Sequence, residues 1–416
     1  MMFRSPTPTR FAGHLPLPFV PSGHFPLSGG IGSRKGGGKY PVAEREAPTW
    51  LPPCGGAVTA QAVTEGVSAG RRGRRPLRMV SVVIALLLPL TACAPKMEEY
   101  STTVFAMDTV MNLKVCGEGT EVSGQEGLNI VVEWLYGMEE KLSVTREDSD
   151  IHKINAACGK TVEVTDTAAR LLEDALGLCD RTGGALDITA YPAVKAWGFT
   201  TGEYRVPGQE ELAQLAEAID YTRIGLDGNE VTLPGGMQLD LGAVAKGRAG
   251  DTMALGLREM GISSALLDLG QSTIAAIGTK PDGSPWRIGI QDPAGTDYLG
   301  VLELVDQSMG SSGNYQRYFE ENGVRYGHII DPDTASPADS GLAGVTVVAD
   351  SAFLCDGLST ALFVMGREDA ADYWRENRDF EAIFIEENGD ITITPGLKEA
   401  FTLRDGYTDR EVSVLE

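Results

Sequence analysis

Between Arg71 and Cys93 the chain passes through three stretches in strict order. Five arginines crowd Arg71–Arg78, an almost wholly apolar run covers Met79–Leu90, and Thr91-Ala92-Cys93 follows. Basic, then apolar, then small is the order of a secretory signal. The apolar run is 12 residues long, whereas a bilayer-spanning helix needs about 20. It is too short to span, and it separates two parts of unlike composition.

Upstream, residues 1–70 are rich in Gly and Pro (GGIGSRKGGGKYP, PTWLPPCGG) and show neither helical nor strand periodicity. Such a stretch cannot bury enough apolar surface to offset the entropy of ordering it. Three segments are expected: an irregular 1–78, a signal peptide over 79–92, and one folded domain over 93–416. The true start is expected near Arg71–Met79, with the part before it a mis-called start. Leu90-Thr91-Ala92-Cys93 resembles a bacterial lipobox. Cys93 would then be the lipidated mature N-terminus. The protein would be exported and anchored to the outer face of the cytoplasmic membrane, or periplasmic in a Gram-negative cell. An ordinary signal peptide with an incidental cysteine is the alternative.

Charge divides at the same point. Residues 1–92 carry a net +8 and residues 93–416 a net −31, giving −23 overall. So acidic a body repels nucleic acid unless a basic stripe offsets it, and residues 93–416 have none. With 42 % hydrophobic and 22 % charged residues, neither a mainly disordered chain nor a polytopic membrane protein is expected. Only His152 and His328 follow Cys93, which excludes a multi-histidine metal centre. Cys116, Cys158, Cys179 and Cys355 form no C-x-x-C pair, which excludes a zinc ribbon and a thioredoxin-like redox pair. Any metal must be a hard ion on oxygen ligands.

Periodicity predicts a strand over Thr103–Val115 and helices over Gly127–Val144, Asp166–Cys179 and Gln209–Ala218. Met237–Gly261 reads as strand, turn and helix, and SALLDLG, ending at Gly270, as a buried strand. A hairpin is expected over Gln316–Pro332, turning at Asn-Gly, then a strand over Gly344–Ala349 and an apolar helix over Ser351–Gly366. A closing hairpin over Glu381–Pro395 completes the pattern. Helices and hairpins interleave without repeats, so the expected class is α+β: mixed sheets with packed helices in a single domain.

Four constellations could carry chemistry. In LDLGAVAKG (Leu239–Gly247) a strand end delivers Asp240, and Lys246 opens a helix whose free N–H groups suit a phosphate. Lys246 could equally be a solvated first-turn residue. In CDGLSTALFVMG (Cys355–Gly366) Asp356 and Thr360 stand at i, i+4 on one helix face. Such a pair suits Mg²⁺, or a buried Asp–Thr packing contact. SMGSSGNY (Ser308–Tyr315) lies near His328 and Asp331, but Ser312 is not in G-x-S-x-G, so a serine hydrolase is disfavoured. His328 fits a phosphoryl-transfer acid/base or substrate contact better. In TGGALDITAYPAVKAWGF (Thr182–Phe199) two glycines permit close backbone approach, Asp187 leaves a short strand, and Tyr191, Trp197 and Phe199 offer flat surfaces or core packing.

LSVTREDSDIHKIN, GGALDITAYPAVKAWGF, LDLGAVAKGRAGD, WRIGIQDP, SSGNYQRYF, HIIDPDTASP and DGLSTALFVMG stand in this order. Together they resemble the ApbE family of flavin transferases, which are exported and often lipid-anchored. The resemblance implies an ApbE-like fold and FAD contacts from Met107, Thr145, Ala185, Leu186, Asp187, Asp240, Lys246 and Ile330. It implies Mg²⁺ on the carbonyl of Ala243 and the side chains of Asp356 and Thr360, with His328 and Asp356 as the catalytic residues. The implied activity moves FMN from FAD to a Thr or Ser hydroxyl of an exported redox protein and releases AMP. The alternatives are an Mg²⁺-dependent FAD pyrophosphatase and a non-catalytic flavin-binding lipoprotein.

Four positions depart from the family pattern. Many relatives have Tyr where this chain has Thr145, and Thr cannot stack on a nucleotide. Asp108, Gln271 and Ala335 each replace a usual Gly, and Gln and Ala tolerate positive φ poorly.

Overall fold

A computed structural model describes residues 97–117 and 122–416. The arginine cluster, the apolar run and Cys93 lie outside the described residues.

Successive strand residues face opposite sides, so a sheet covered on both faces needs apolar residues throughout. The strand Thr273–Ile277 (TIAAI) is buried along its whole length. Ala275 and Ile277 enter one core cluster, Ile274 and Ala276 another. Leu342–Ala349 does the same, with Val345 and Val347 on one side and Val348 on the other. Both strands lie inside a nine-stranded sheet. Its order is Glu98–Ala106, Thr109–Gly117, Ser264–Asp268, Thr273–Ile277, Ser308–Gly313, Leu342–Ala349, Glu381–Glu386, Ile391–Ile393 and Val412–Val414. Every neighbouring pair is antiparallel except the last, which is parallel.

The helices are α1 (Gly124–Leu142), α2 (Asp150–Ala156), α3 (Asp166–Arg181), α4 (Tyr191–Ala196), α5 (Gln209–Ala216), α6 (Ala245–Glu259) and α7 (Ala352–Asn377). α1, α3, α6 and α7 bury their apolar faces on one side of the sheet. The antiparallel strands Trp286–Gln291, Tyr298–Leu304 and Phe401–Leu403 cover the other. A third cluster joins α4 and α5 to Ile330 and Ala335. Among the described residues no helix is long and apolar enough to cross a membrane.

Sequence and structure part in four places. Thr103–Val115 is not one strand but parts of two, paired as a hairpin that turns at Met107-Asp108, with φ of 49° and 60°. Residues 237–241 form no strand beyond the single bridge of Gln238 with Ala190. Asn155 instead holds Leu239 by its N–H and carbonyl, at 2.6 and 2.9 Å. Asp187 leaves a loop between α3 and α4 rather than a strand. α7 departs from helical geometry at Gly366 (φ 78°, ψ 170°), where the sequence ends it, and then resumes to Asn377.

Candidate active site

Helix α6 begins without a cap of its own, because Val244 at the N-cap has no side-chain acceptor. Its Gly247 N–H donates instead to Asp356 Oδ2 on α7, at 2.9 Å. An anion at a helix N-terminus is favoured by the unsatisfied N–H groups and the helix dipole. Thr273 donates its hydroxyl to Asp356 Oδ1 at 2.8 Å. Lys246 Nζ lies 3.2 and 3.5 Å from the two carboxylate oxygens and 3.2 Å from Gly242 O. Asp356 is only 5 % exposed, and three donors from two elements make that burial tolerable. Of the anion site expected at the start of α6, the Gly247 N–H and Lys246 are thus engaged with Asp356.

α7 is held here by a second, half-buried carboxylate. Asp251 on α6 accepts from Ser351 Oγ at 2.7 Å, Ala352 N at 2.6 Å and Phe353 N at 3.1 Å. Glycine permits the approach on both flanks. A methyl at Gly247 would overlap the Ala352 carbonyl, and one at Gly310 the Cys355 carbonyl. One turn beyond Asp356, Thr360 Oγ1 lies 3.2 Å from Ser312 Oγ, which is 2.9 Å from Ser359 Oγ.

The hairpin Tyr318–Glu321/Val324–Gly327 brings the histidine. Its register pairs Tyr318 with Gly327, so Arg317 and His328 face each other at the open end. Arg317 O accepts from His328 N at 3.1 Å and lies 3.2 Å from His328 Nδ1. A carbonyl can only accept, so Nδ1 carries the proton and Nε2 keeps its lone pair. Burial, then the charges of Arg317 and Lys246, lower the His328 pKa to about 4. The ring is neutral at pH 7. Burial raises the Asp240 carboxyl above its usual range, against the Gly242 N–H and the charges of Lys246 and Arg317. Both cations therefore act on both groups, which makes Asp240, Lys246, Arg317, His328 and Asp356 one site. Met107 adjoins it: Arg317 Nη2 is 3.2 Å from Asp108 Oδ2. The Met107 N–H donates to Glu139 Oε1 at 2.8 Å, which ties the end of α1 and the following Thr145 loop to the same turn.

Other expected contacts are engaged elsewhere. The Asp187 carboxylate accepts from Thr189 N, Thr189 Oγ1 and Tyr221 N at 2.8, 2.6 and 2.9 Å, organising its own loop. Leu186 and Ile330 are buried in core clusters, Ala185 is half-buried against one, and Thr145 is exposed with its N–H on Ser143 Oγ. Tyr191 and Trp197 are buried too, Trp197 donating to Ala335 O at 2.9 Å. No Ser–His–Asp chain forms: Ser312 meets hydroxyls, His328 meets Arg317, and Asp331 accepts from Asp333 N and Thr334 Oγ1.

Among the described residues no three His, Cys, Asp or Glu side chains converge on one point. A cation at Asp356 would complete its shell with carbonyls, hydroxyls, substrate oxygens and water. Asp356, Thr360 and the Ala243 carbonyl are hard oxygen donors, and the set fits Mg²⁺. Thr273, Arg317 and Asp251 were not foreseen. Thr273 stands in an apolar strand, and only the fold brings it to Asp356.

The ApbE family profile matches residues 107–384. The chain belongs to the ApbE family. Its relatives include the FAD:protein FMN transferase of Haemophilus influenzae, 32% identical over 325 residues, which are 75% of this chain and 94% of that protein. The FAD:protein FMN transferase of Treponema pallidum is 31% identical over 347 residues, 78% of this chain and 96% of that one. Among solved structures, the ApbE protein of Thermotoga maritima matches with a TM-score of 0.68 at 30% identity, covering 73% of this chain and 99% of that chain. The flavinyl transferase ApbE of Pseudomonas stutzeri gives 0.66 at 31%, covering 73% and 97%. The expected ApbE-like α+β fold holds.

Proposed function

We propose that the protein is a FAD:protein FMN transferase, which moves FMN from FAD to a Thr or Ser hydroxyl of an exported acceptor protein and releases AMP. The observation that carries this reading is a buried carboxylate, a lysine and a neutral histidine converging on one site in a chain of this family. Asp356, Thr360 and the Ala243 carbonyl would hold Mg²⁺, which supplies positive charge to the pyrophosphate when bound. Lys246 and Arg317 add fixed positive charge within a strongly acidic chain. The Met107 turn, Asp240 and the 185–187 loop would bound the FAD. His328 Nε2 takes the proton of the acceptor hydroxyl. That oxygen bonds to the FMN-side phosphorus, and the bond to the AMP phosphate breaks with its electron pair.

A second reading, FAD pyrophosphatase with water in place of the hydroxyl, draws on Thr145, whose short exposed side chain leaves that edge less covered. One assay separates the two. The purified chain is incubated with FAD, Mg²⁺ and a candidate acceptor domain. Protein-bound flavin with AMP supports transfer, free FMN supports hydrolysis, and unchanged FAD rejects both. The export and lipid anchor read from Arg71–Cys93 belong to the same proposal, since an exported acceptor needs an exported enzyme.

A further inference from the structure

Arg317 touches the two hairpins that meet at the site. Through its side chain it holds the turn of the first: Nη2 lies 3.2 Å from Asp108 Oδ2 and 3.4 Å from the Asp108 carbonyl. Through its backbone it holds the second, its carbonyl receiving the His328 N–H at 3.1 Å and facing Nδ1 at 3.2 Å. The hairpin register places Arg317 opposite His328 at its open end, one step past Tyr318–Gly327. Fastening the Arg317 side chain to a different element restrains that end.

We propose that Arg317 is the positioning residue of the histidine: clamped to Asp108, it fixes the Nδ1–H tautomer of His328 and leaves Nε2 aimed to receive a proton. This deepens the proposed transferase reading and rests on it for the direction of that proton. The Asp108–Arg317 pair is exposed, and exposed pairs contribute little to stability. Its effect is on geometry. The carboxylate of the clamp comes from Asp108, at the turn of the first hairpin. The Asp108 backbone already sits at φ 60°, so Asp108→Gly keeps the turn while deleting the carboxylate.

The charged groups that bear on the ring are Arg317, from the hairpin, and Lys246, from α6; Phe199 presents a ring edge at 6.4 Å. Removing Arg317 leaves Lys246 in place, so a change in the titration can be assigned.

The test is nitrogen NMR of the full chain labelled at histidine, with His328 assigned by comparison with His328→Asn. Wild type is expected to show one neutral tautomer, protonated at Nδ1. Arg317→Ala should raise the His328 pKa by about one unit, a ten-fold gain in proton affinity. Both Arg317→Ala and Asp108→Gly should bring in the Nε2–H tautomer. Arg317→Lys keeps the charge and should keep most of the pKa while losing tautomer purity. The pKa change in Arg317→Ala reports the lost charge; a merely structural role would leave a single tautomer in every folded variant. A single Nδ1–H tautomer retained in both Arg317→Ala and Asp108→Gly would overturn the proposal, whatever the pKa does. The transferase reading fails separately: if His328→Asn still transfers FMN at the wild-type rate, the histidine is not the base, whatever fixes its tautomer.

Discussion

Lys246 would compete with the proposed cation for one anion, because the carboxylate it now touches is also the proposed metal ligand. Two cations cannot share the Asp356 oxygens at close range without strong repulsion. Lys246→Met should therefore destabilise the metal-free protein by about 2 kcal/mol, since Asp356 stays buried with fewer partners. The same change should tighten Mg²⁺ binding, as read by calorimetric titration. Unfolding in EDTA that matches wild type would show that the pair contributes nothing. His328 makes a pH prediction. Base catalysis needs the neutral ring, and a pKa of about 4 keeps it neutral well below the ordinary histidine value of about 6.5. kcat/KM for FAD should hold as pH falls from 7 to about 5 and drop only below that. An acid limb centred near 6.5 would place His328 in a more solvated setting. Gln271 and Ala335 adopt φ of 68° and 52°, so the loops keep a glycine-like shape without the glycine. Gln271 is exposed, and Gln271→Gly should stabilise the fold by about 0.5–1 kcal/mol. Denaturant midpoints decide it, an unchanged or lower midpoint speaking against stored strain.

At the scale of elements, α6 and α7 complete each other. Asp356 caps α6 from α7, while Asp251 of α6 holds the first turn of α7. Gly247→Ala should force the two apart, because its methyl meets the Ala352 carbonyl rather than a flexible side chain. The expected result is a loss of 2 kcal/mol or more by the order of overpacking costs, and FMN transfer reduced beyond what the folded fraction explains. Activity proportional to folded protein would mean the spacing is not critical. These elements were legible to unequal degrees. α3 and α6 could be read from apolar spacing and a Gly at position 261, because burying one face leaves a 3.6-residue trace. The first hairpin was missed because Met107-Asp108 lacks the Gly that marks a primed turn, although both residues adopt positive φ, which Asp tolerates and Met disfavours. Lys246, Asp356, Thr360 and His328 were legible as chemistry. Their contacts were not, since Thr273 and Arg317 reach the site through sheet register and carry no local pattern.

At the scale of the whole molecule, the nine-stranded sheet of the described residues carries helices on one face and a three-stranded sheet on the other, and Asp356 and Lys246 lie on the helical side. The proposed anchor at Cys93 can be tested in cells. Cys93→Ser should move the protein from the membrane fraction to the soluble one or block its processing, with the folded body unchanged. Identical fractionation and migration would reject the lipid. The two glycines beneath α7 also bear on how such a sequence can drift. Gly247 and Gly310 set their neighbours at main-chain contact, so the separation of Lys246, Asp356 and Ser312 is fixed by backbone rather than by interlocking side chains. Positions on the far face, such as Ile288, Leu302 and Phe401, can exchange one apolar residue for another without disturbing that separation. A saturation library should then split sharply: broad tolerance across the small sheet, and almost none at two residues that have no side chain at all.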